Sequence, residues 1–200
     1  MGLSAALRRI GVFGGAFDPP HAGHRALAQA ALQQLQLDAL HLVPTGEAWH
    51  KARSLSPAAH RLAMVQAAFD GLAQVVVDPR ETRRSGPSYT VDTLRELQAE
   101  FPDSQLFLIV GQDQAAALPT WRAWQEVLER ASVCVAGRPD AAPPVSLPAP
   151  HQFLRLDFPL QDISATDIRR RIACGEGVAP LVGAAVARYI ADHHLYQPLG

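Results

Sequence analysis

Ile10-Gly11-Val12-Phe13-Gly14-Gly15-Ala16-Phe17-Asp18-Pro19-Pro20-His21-Ala22-Gly23-His24 is the stretch from which the fold can be read. Ile10–Phe13 is a short apolar run with the character of a first β-strand, and the Ala/Leu/Gln-rich segment after it predicts a helix over His21–Leu37. A glycine turn at a strand end that feeds a helix N-terminus gathers unpaired backbone N–H groups into an anion site. Pro19-Pro20 suits a helix start, where a missing N–H does no harm. His21 and His24 are three apart, which predicts that they share a helix face with Cβ atoms about 5–6 Å apart. Gly23 between them costs up to about 1 kcal/mol against alanine in a helix, which suggests close approach by a ligand or another backbone. Taken singly, either histidine reads as a surface residue beside a turn, and the His-Glu-x-x-His pattern of a zinc site is absent. Glycines, turn and paired histidines coinciding at one strand end point to chemistry on a phosphate.

Outward from this stretch, strand-like runs alternate with helical ones. Strands are expected at Ile10–Phe13, Ala39–Pro44, Gln74–Asp78, Leu106–Gly111, Ser132–Gly137 and Phe153–Asp157. Helices are expected at His21–Leu37, Pro57–Phe69, Thr90–Glu100, Trp121–Arg130, Ser164–Cys174 and Pro180–His194. Phe107-Leu108-Ile109-Val110 is a continuous apolar run, which suits a strand covered on both faces. The alternation predicts an α/β fold with a Rossmann-like, doubly wound parallel sheet flanked by helices, residues 1–200 forming a single domain. Five prolines within Pro139–Pro150 read as a surface loop, because the chain beyond them is too short to fold alone.

The 200 residues are 48% hydrophobic, enough for one substantial core, and the formal net charge is −1. No broad basic face is expected, which argues against nucleic acid as a partner. Cys134 and Cys174 lie far apart without a metal-ligand pattern and read as reduced, buried thiols of a cytoplasmic protein. No secretory signal and no run near the ~20 apolar residues of a membrane span are visible, so no membrane partner is expected.

A second chemical cluster opens the helix expected at Ser164. Within Ile163-Ser164-Ala165-Thr166-Asp167-Ile168-Arg169, Ser164 is a natural N-cap and Asp167 reads as its capping-box partner. Capping does not account for Thr166 and Arg169, whose hydroxyl and guanidinium, with the helix N–H groups, would receive a polyphosphate. Arg170 and Arg171 read as a solvated face or as carboxylate partners.

Gly-Gly-x-Phe-Asp-Pro-x-His-x-Gly-His resembles the first signature of the nucleotidyltransferase superfamily, which includes adenylyl- and cytidylyltransferases, and Ile-Ser-x-Thr-x-x-Arg resembles its second. Ala16 stands where the family usually has threonine. Pro87-Ser88-Tyr89-Thr90, Gly111-Gln112-Asp113, Leu118-Pro119-Thr120-Trp121-Arg122 and Gly137-Arg138-Pro139 extend the likeness over essentially the whole chain, to the bacterial nicotinate mononucleotide adenylyltransferase family. That resemblance implies adenylyl transfer from ATP to nicotinate mononucleotide in NAD biosynthesis. His21, His24 and Arg169 would be catalytic. ATP would meet Gly14, Gly15, Ala16, Phe17, His21, His24, Gly111, Asp113, Arg138, Ile163, Ser164, Thr166 and Arg169. The mononucleotide would meet His50, Lys51, Tyr89, Thr90, Trp121 and Arg122, with Trp121 stacked on the pyridine ring. His50-Lys51 follows Ala48-Trp49 where the family often has two prolines. Mg2+ would be carried by ATP phosphates and water, without a site of its own on the chain.

Other readings stay beside this one. Trp121 taken alone reads as a packing residue, and Asp113 as a helix cap. The acceptor could be phosphopantetheine or nicotinamide mononucleotide, although phosphopantetheine enzymes usually carry threonine at the position of His21. A non-catalytic nucleotide-binding module is the reading from another class. A dinucleotide-binding redox module lacks its Gly-x-Gly-x-x-Gly here, and a P-loop kinase lacks its Gly-Lys.

Overall fold

The computed structural model describes residues 7–46, 55–137, 145–158 and 163–197. Its strands are β1 (Arg8–Gly15), β2 (Ala39–Pro44), β3 (Val75–Val77), β4 (Ser104–Gly111), β5 (Ala131–Gly137) and β6 (Leu154–Asp157). They form one sheet in the order β3-β2-β1-β4-β5-β6, with every neighbouring pair parallel. The chain winds one way from β1 to β3 and the other way from β4 to β6, so the winding reverses between β1 and β4. A crevice for ligands opens at the carboxyl ends of the strands where the order reverses. Here those ends are Gly14-Gly15 of β1 and Gly111 of β4.

The helices are α1 (Ala22–Gln34), α2 (Ala58–Phe69), α3 (Arg80–Arg83), α4 (Thr90–Glu100), α5 (Gln112–Ala117), α6 (Trp124–Arg130), α7 (Ala165–Ala173), α8 (Ala179–Val182) and α9 (Ala184–Asp192), with a 3-10 turn at Leu118–Thr120. Side-chain alternation along the strands divides the core. Phe13, Phe107, Ile109, Cys134, Ala136 and Leu156 face Leu27, Ala31 and Leu32 of α1 and Val65 and Phe69 of α2. Ile10, Val12, Leu106, Leu108, Val110, Val133 and Val135 face Val91, Leu94 and Leu97 of α4 and Val127 and Leu128 of α6. Both faces of the sheet are covered, which is why β2 is buried along its whole length, with the ring of its one polar residue, His41, paired with buried Asp78 at 2.9 Å. A third cluster joins Met64 of α2 to Ile168 of α7, Val182 of α8, and Val186 and Ile190 of α9.

All six strands and all six helices expected from the sequence are present, with several shifts. α6 starts at Trp124 rather than Trp121, because Ala123 is left-handed (φ 49°) and Trp121 is extended. The expected last helix is two, broken at Gly183 (φ 86°), a conformation that glycine takes at little cost. α3 and α5 are additional short helices. Cys134 and Cys174 are both free thiols, but Cys174 is exposed rather than buried, since it lies just past the end of α7.

Candidate active site

In a parallel sheet each crossover helix runs back against its strands, so the N-termini of α1, α4, α5, α6 and α7 gather at the carboxyl edge. Around that edge the two signatures meet. Beyond β1, Gly15 accepts a hydrogen bond through its carbonyl from the Thr45 N–H at 2.8 Å, tying the turn to the end of β2. Phe17 is left-handed (φ 49°) yet 1% exposed. Packing against Phe13, His24 and Phe69, with centroids 5.6, 5.1 and 6.4 Å away, holds it in that conformation. A non-glycine residue persists there only when its surroundings determine it.

His21 is the N-cap of α1, in extended conformation, and so stands outside the helix rather than on its first turn. The two imidazoles nevertheless meet, and more closely than helical spacing predicts: their centroids are 3.7 Å apart with planes 30° from parallel. The His21 N–H donates to Nδ1 of His24 at 3.2 Å. An accepting Nδ1 carries no proton, so neutral His24 bears its proton on Nε2 and presents a donor there. Burial pushes the His21 pKa down to about 4. Burial, and then the neighbouring His21, push that of His24 down to about 3. Both rings are therefore neutral at pH 7, and Nδ1 of His21 is buried with no hydrogen-bond partner among the described residues.

The second signature reaches across. Ser164 caps α7, its hydroxyl accepting from the Asp167 N–H at 3.1 Å. The Asp167 carboxylate does not complete a capping box; it pairs with Arg170 and Arg171, each at 2.7 Å, so these two arginines are carboxylate partners. Arg169 is thereby left to turn inward. Its Nη2 donates to the Thr166 hydroxyl at 3.1 Å and its Nη1 to the main-chain carbonyl of Asp18 at 2.7 Å, 151 residues away in sequence. Ile163 packs on the third core cluster beside them.

The remaining expected residues lie around the same edge. Gly111 caps α5 in extended conformation, and Asp113 stands exposed in the first turn of that helix. Tyr89 is the N-cap of α4, followed by Thr90. Trp121, at the end of the 3-10 turn, packs with Tyr89 on the second core face while staying partly exposed. The guanidinium of Arg122 sits 4.6 Å over the Tyr89 ring, so the α4 start and the Pro-Thr-Trp-Arg segment form one aromatic and cationic wall. His50, Lys51 and Arg138 lie outside the described residues.

Sequence reasoning passed over several buried polar groups here. Asp18, inside the first signature, is 2% exposed, and its carboxylate accepts from the Tyr196 hydroxyl at 2.6 Å and the Ser56 N–H at 3.2 Å. Arg61, also 2% exposed, donates to the carbonyls of Ser56 and Ala16 at 2.9 and 3.1 Å. The signal for Arg61 was an arginine on the apolar face of a helix; for Tyr196 there was none. Farther along the edge, buried Glu81 accepts from the Thr93 hydroxyl at 2.7 Å. A Cβ on Gly46 would lie 2.1 Å from the Glu81 carbonyl oxygen and 2.8 Å from the Ser88 hydroxyl, so the chain leaving β2 is pressed against the segment that leads to Tyr89.

Comparison with known proteins gives one picture. A family model described as cytidylyltransferase-like matches residues 12–171. A protein of Albidiferax ferrireducens named "Probable nicotinate-nucleotide adenylyltransferase" is 60% identical over 96% of this chain and 99% of its own length. One of the same name from Pseudomonas aeruginosa is 42% identical over 95% and 98%. Among solved structures, the Plasmodium falciparum nicotinic acid mononucleotide adenylyltransferase complexed with NaAD superposes with a TM-score of 0.72, covering 94% of this chain and 97% of that one. At 15% identity that likeness speaks for the fold alone.

Proposed function

The chain belongs to the cytidylyltransferase-like family, and from that premise we propose that it transfers the adenylyl group of ATP to nicotinate mononucleotide, forming nicotinate adenine dinucleotide and releasing pyrophosphate. The observation that carries this reading is the hydrogen bond from Arg169 to the Asp18 carbonyl, which joins the two signatures into one receptor at the reversal point of the sheet.

In the reaction a phosphate oxygen of the mononucleotide forms a bond to the α-phosphorus of ATP, and the bond from that phosphorus to the oxygen bridging to the β-phosphate breaks. The nucleophile is a phosphate monoester with a second pKa near 6, largely ionised at pH 7, so no general base is needed. What the protein supplies is alignment of two anions and stabilisation of charge on the α-phosphate and the departing pyrophosphate. Arg169 brings a permanent positive charge. His24 offers its Nε2–H as a preorganised neutral donor, a role typically worth about 2.7–4 kcal/mol in a transition state. The α1 and α7 N-termini add ~0.3–1 kcal/mol each, up to ~2 where partly buried. Trp121, with Tyr89 and Arg122 beside it, supplies an aromatic face for the pyridinium and donors for its carboxylate.

Among the described residues no three His, Cys, Asp or Glu side chains converge as a metal cage. A Mg2+ carried in on the ATP phosphates and water would neutralise phosphate charge. Among them no helix is long and apolar enough to cross a membrane, and a cytoplasmic location fits the two free thiols.

The test is pyrophosphate release by the purified protein with Mg-ATP and, in turn, nicotinate mononucleotide, nicotinamide mononucleotide and phosphopantetheine. Strong preference for the first is expected. Faster release with either of the others would overturn the acceptor assignment, and no release with any would leave a nucleotide-binding module.

A further inference from the structure

We propose that Tyr196, through the buried Asp18 carboxylate, is a positioning residue that sets Arg169 and the turn after β1 for ATP. The peptide at Asp18 is held from two sides. Its carbonyl receives Arg169 at 2.7 Å, while its carboxylate receives the Tyr196 hydroxyl at 2.6 Å from a residue 178 positions later. Ser56, at the start of the run into α2, takes the second carboxylate oxygen, and Arg61 ties the Ser56 and Ala16 carbonyls together. Rotation or withdrawal of Asp18 would therefore move both the acceptor of Arg169 and the backbone that carries Ala16 and Phe17.

Packing alone does not call for this arrangement. Tyr196 rests on Met64, its hydroxyl 3.9 Å from the sulfur, where a phenylalanine would fit with no polar group to desolvate. Burying a hydroxyl and a carboxylate is costly unless each is paired, and the geometry of the pair then becomes strongly specified. α9 closes in a left-handed cap at His194, and the chain turns left-handed again at Tyr196 beyond it. Their φ values are 50° and 64°, and Leu195 N–H bonds back to Ile190. The His194 turn is an ordinary helix cap, whereas a bulky residue such as Tyr196 is kept at positive φ only where its surroundings determine it. The segment after α9 thus acts as a clasp on the first signature. The phenol engages Asp18 and Met64, neither of which belongs to the Tyr89–Trp121 wall.

The inference rests on the reading of Arg169 as an ATP-binding group, and the experiment separates the two. Binding of a non-hydrolysable ATP analogue is measured calorimetrically for the wild type, Tyr196→Phe, Arg169→Ala and the double variant, with steady-state KM for both substrates and melting temperatures alongside. Tyr196→Phe is expected to weaken ATP binding and raise its KM roughly tenfold, with KM for the mononucleotide within about twofold. In the double variant the tyrosine change should add nothing to the loss caused by Arg169→Ala. Wild-type affinity for the analogue in folded Tyr196→Phe, or full additivity in the double variant, would overturn the proposal. Asp18→Asn, which keeps the main-chain carbonyl, gives the same reading independently should Tyr196→Phe fail to fold. Unchanged analogue binding in Arg169→Ala would instead strike the ATP role of Arg169. Absence of turnover by a wild type that binds the analogue would strike the acceptor assignment only.

Discussion

The stacked histidines make the folded protein sensitive to acid in a way that can be worked out. In the unfolded chain both titrate near 6.5; in the fold they lie at about 4 for His21 and about 3 for His24, because the charged forms are desolvated and adjacent. A group whose folded pKa is below its unfolded value contributes its full stability above the unfolded pKa and loses it as pH falls through the window between the two. At pH 5 each histidine is protonated in the unfolded chain and still neutral in the fold. Relative to pH 7 that costs about 2 kcal/mol apiece, or about 4 kcal/mol for the pair, against a total of ~5–15 kcal/mol for a typical domain. Buried Glu81 acts in the opposite sense, since desolvation raises its pKa, so the test must be differential. Urea unfolding of the wild type and of His21→Asn/His24→Asn is measured at pH 7, 6 and 5. The variant should lose less stability than the wild type by about 4 kcal/mol over that range, with most of the difference appearing below pH 6.5. Parallel curves would show that the two rings are solvated in the fold and would refute the neutral pair.

Further expectations concern the site directly. His24→Asn should keep the fold and lower kcat by about a hundredfold to a thousandfold, as loss of one preorganised donor does; near-normal turnover would remove His24 from the chemistry. Trp121→Ala should raise KM for the mononucleotide by about tenfold, the scale of a lost aromatic stack, and change KM for ATP little; equal effects on both would assign Trp121 to packing. Gly46→Ala places a Cβ 2.1 Å from a backbone oxygen, which cannot swing away as a side chain could. Its melting temperature should fall by the equivalent of about 1–3 kcal/mol, and KM for the mononucleotide should rise as the Ser88–Thr90 segment shifts. A variant with wild-type KM would uncouple Gly46 from that pocket.

Much of this was legible in the chain. Most strands announced themselves as apolar runs, and α2, α4 and α7 followed from the pattern of their residues and, for α7, from Ser164 as a cap. The misjudged boundaries are local for a reason. Ala123 turns left-handed where nothing in its side chain requires it, and Gly183 interrupts a stretch whose apolar pattern runs on through Val186 and Ile190. Such breaks are imposed by what the segment packs against, which a window of neighbours does not contain. The reading of His21 on a helix face failed similarly: the residue is a cap, and the imidazoles meet through that geometry.

By itself, then, the order of residues determined the alternation of strands and helices, the glycine turn after β1, the cap of α7 and the two signatures, all features decided by backbone preferences over a few neighbouring positions. Only the tertiary structure decided that β1 and β4 lie side by side, that Arg169 reaches the Asp18 carbonyl, that Tyr196 closes on the Asp18 carboxylate, and that two histidines are buried deeply enough to stay neutral. Those outcomes depend on pairing and desolvation between segments far apart in the chain, 151 and 178 positions for the two Asp18 contacts, and their energies exist only once the sheet has brought the segments together.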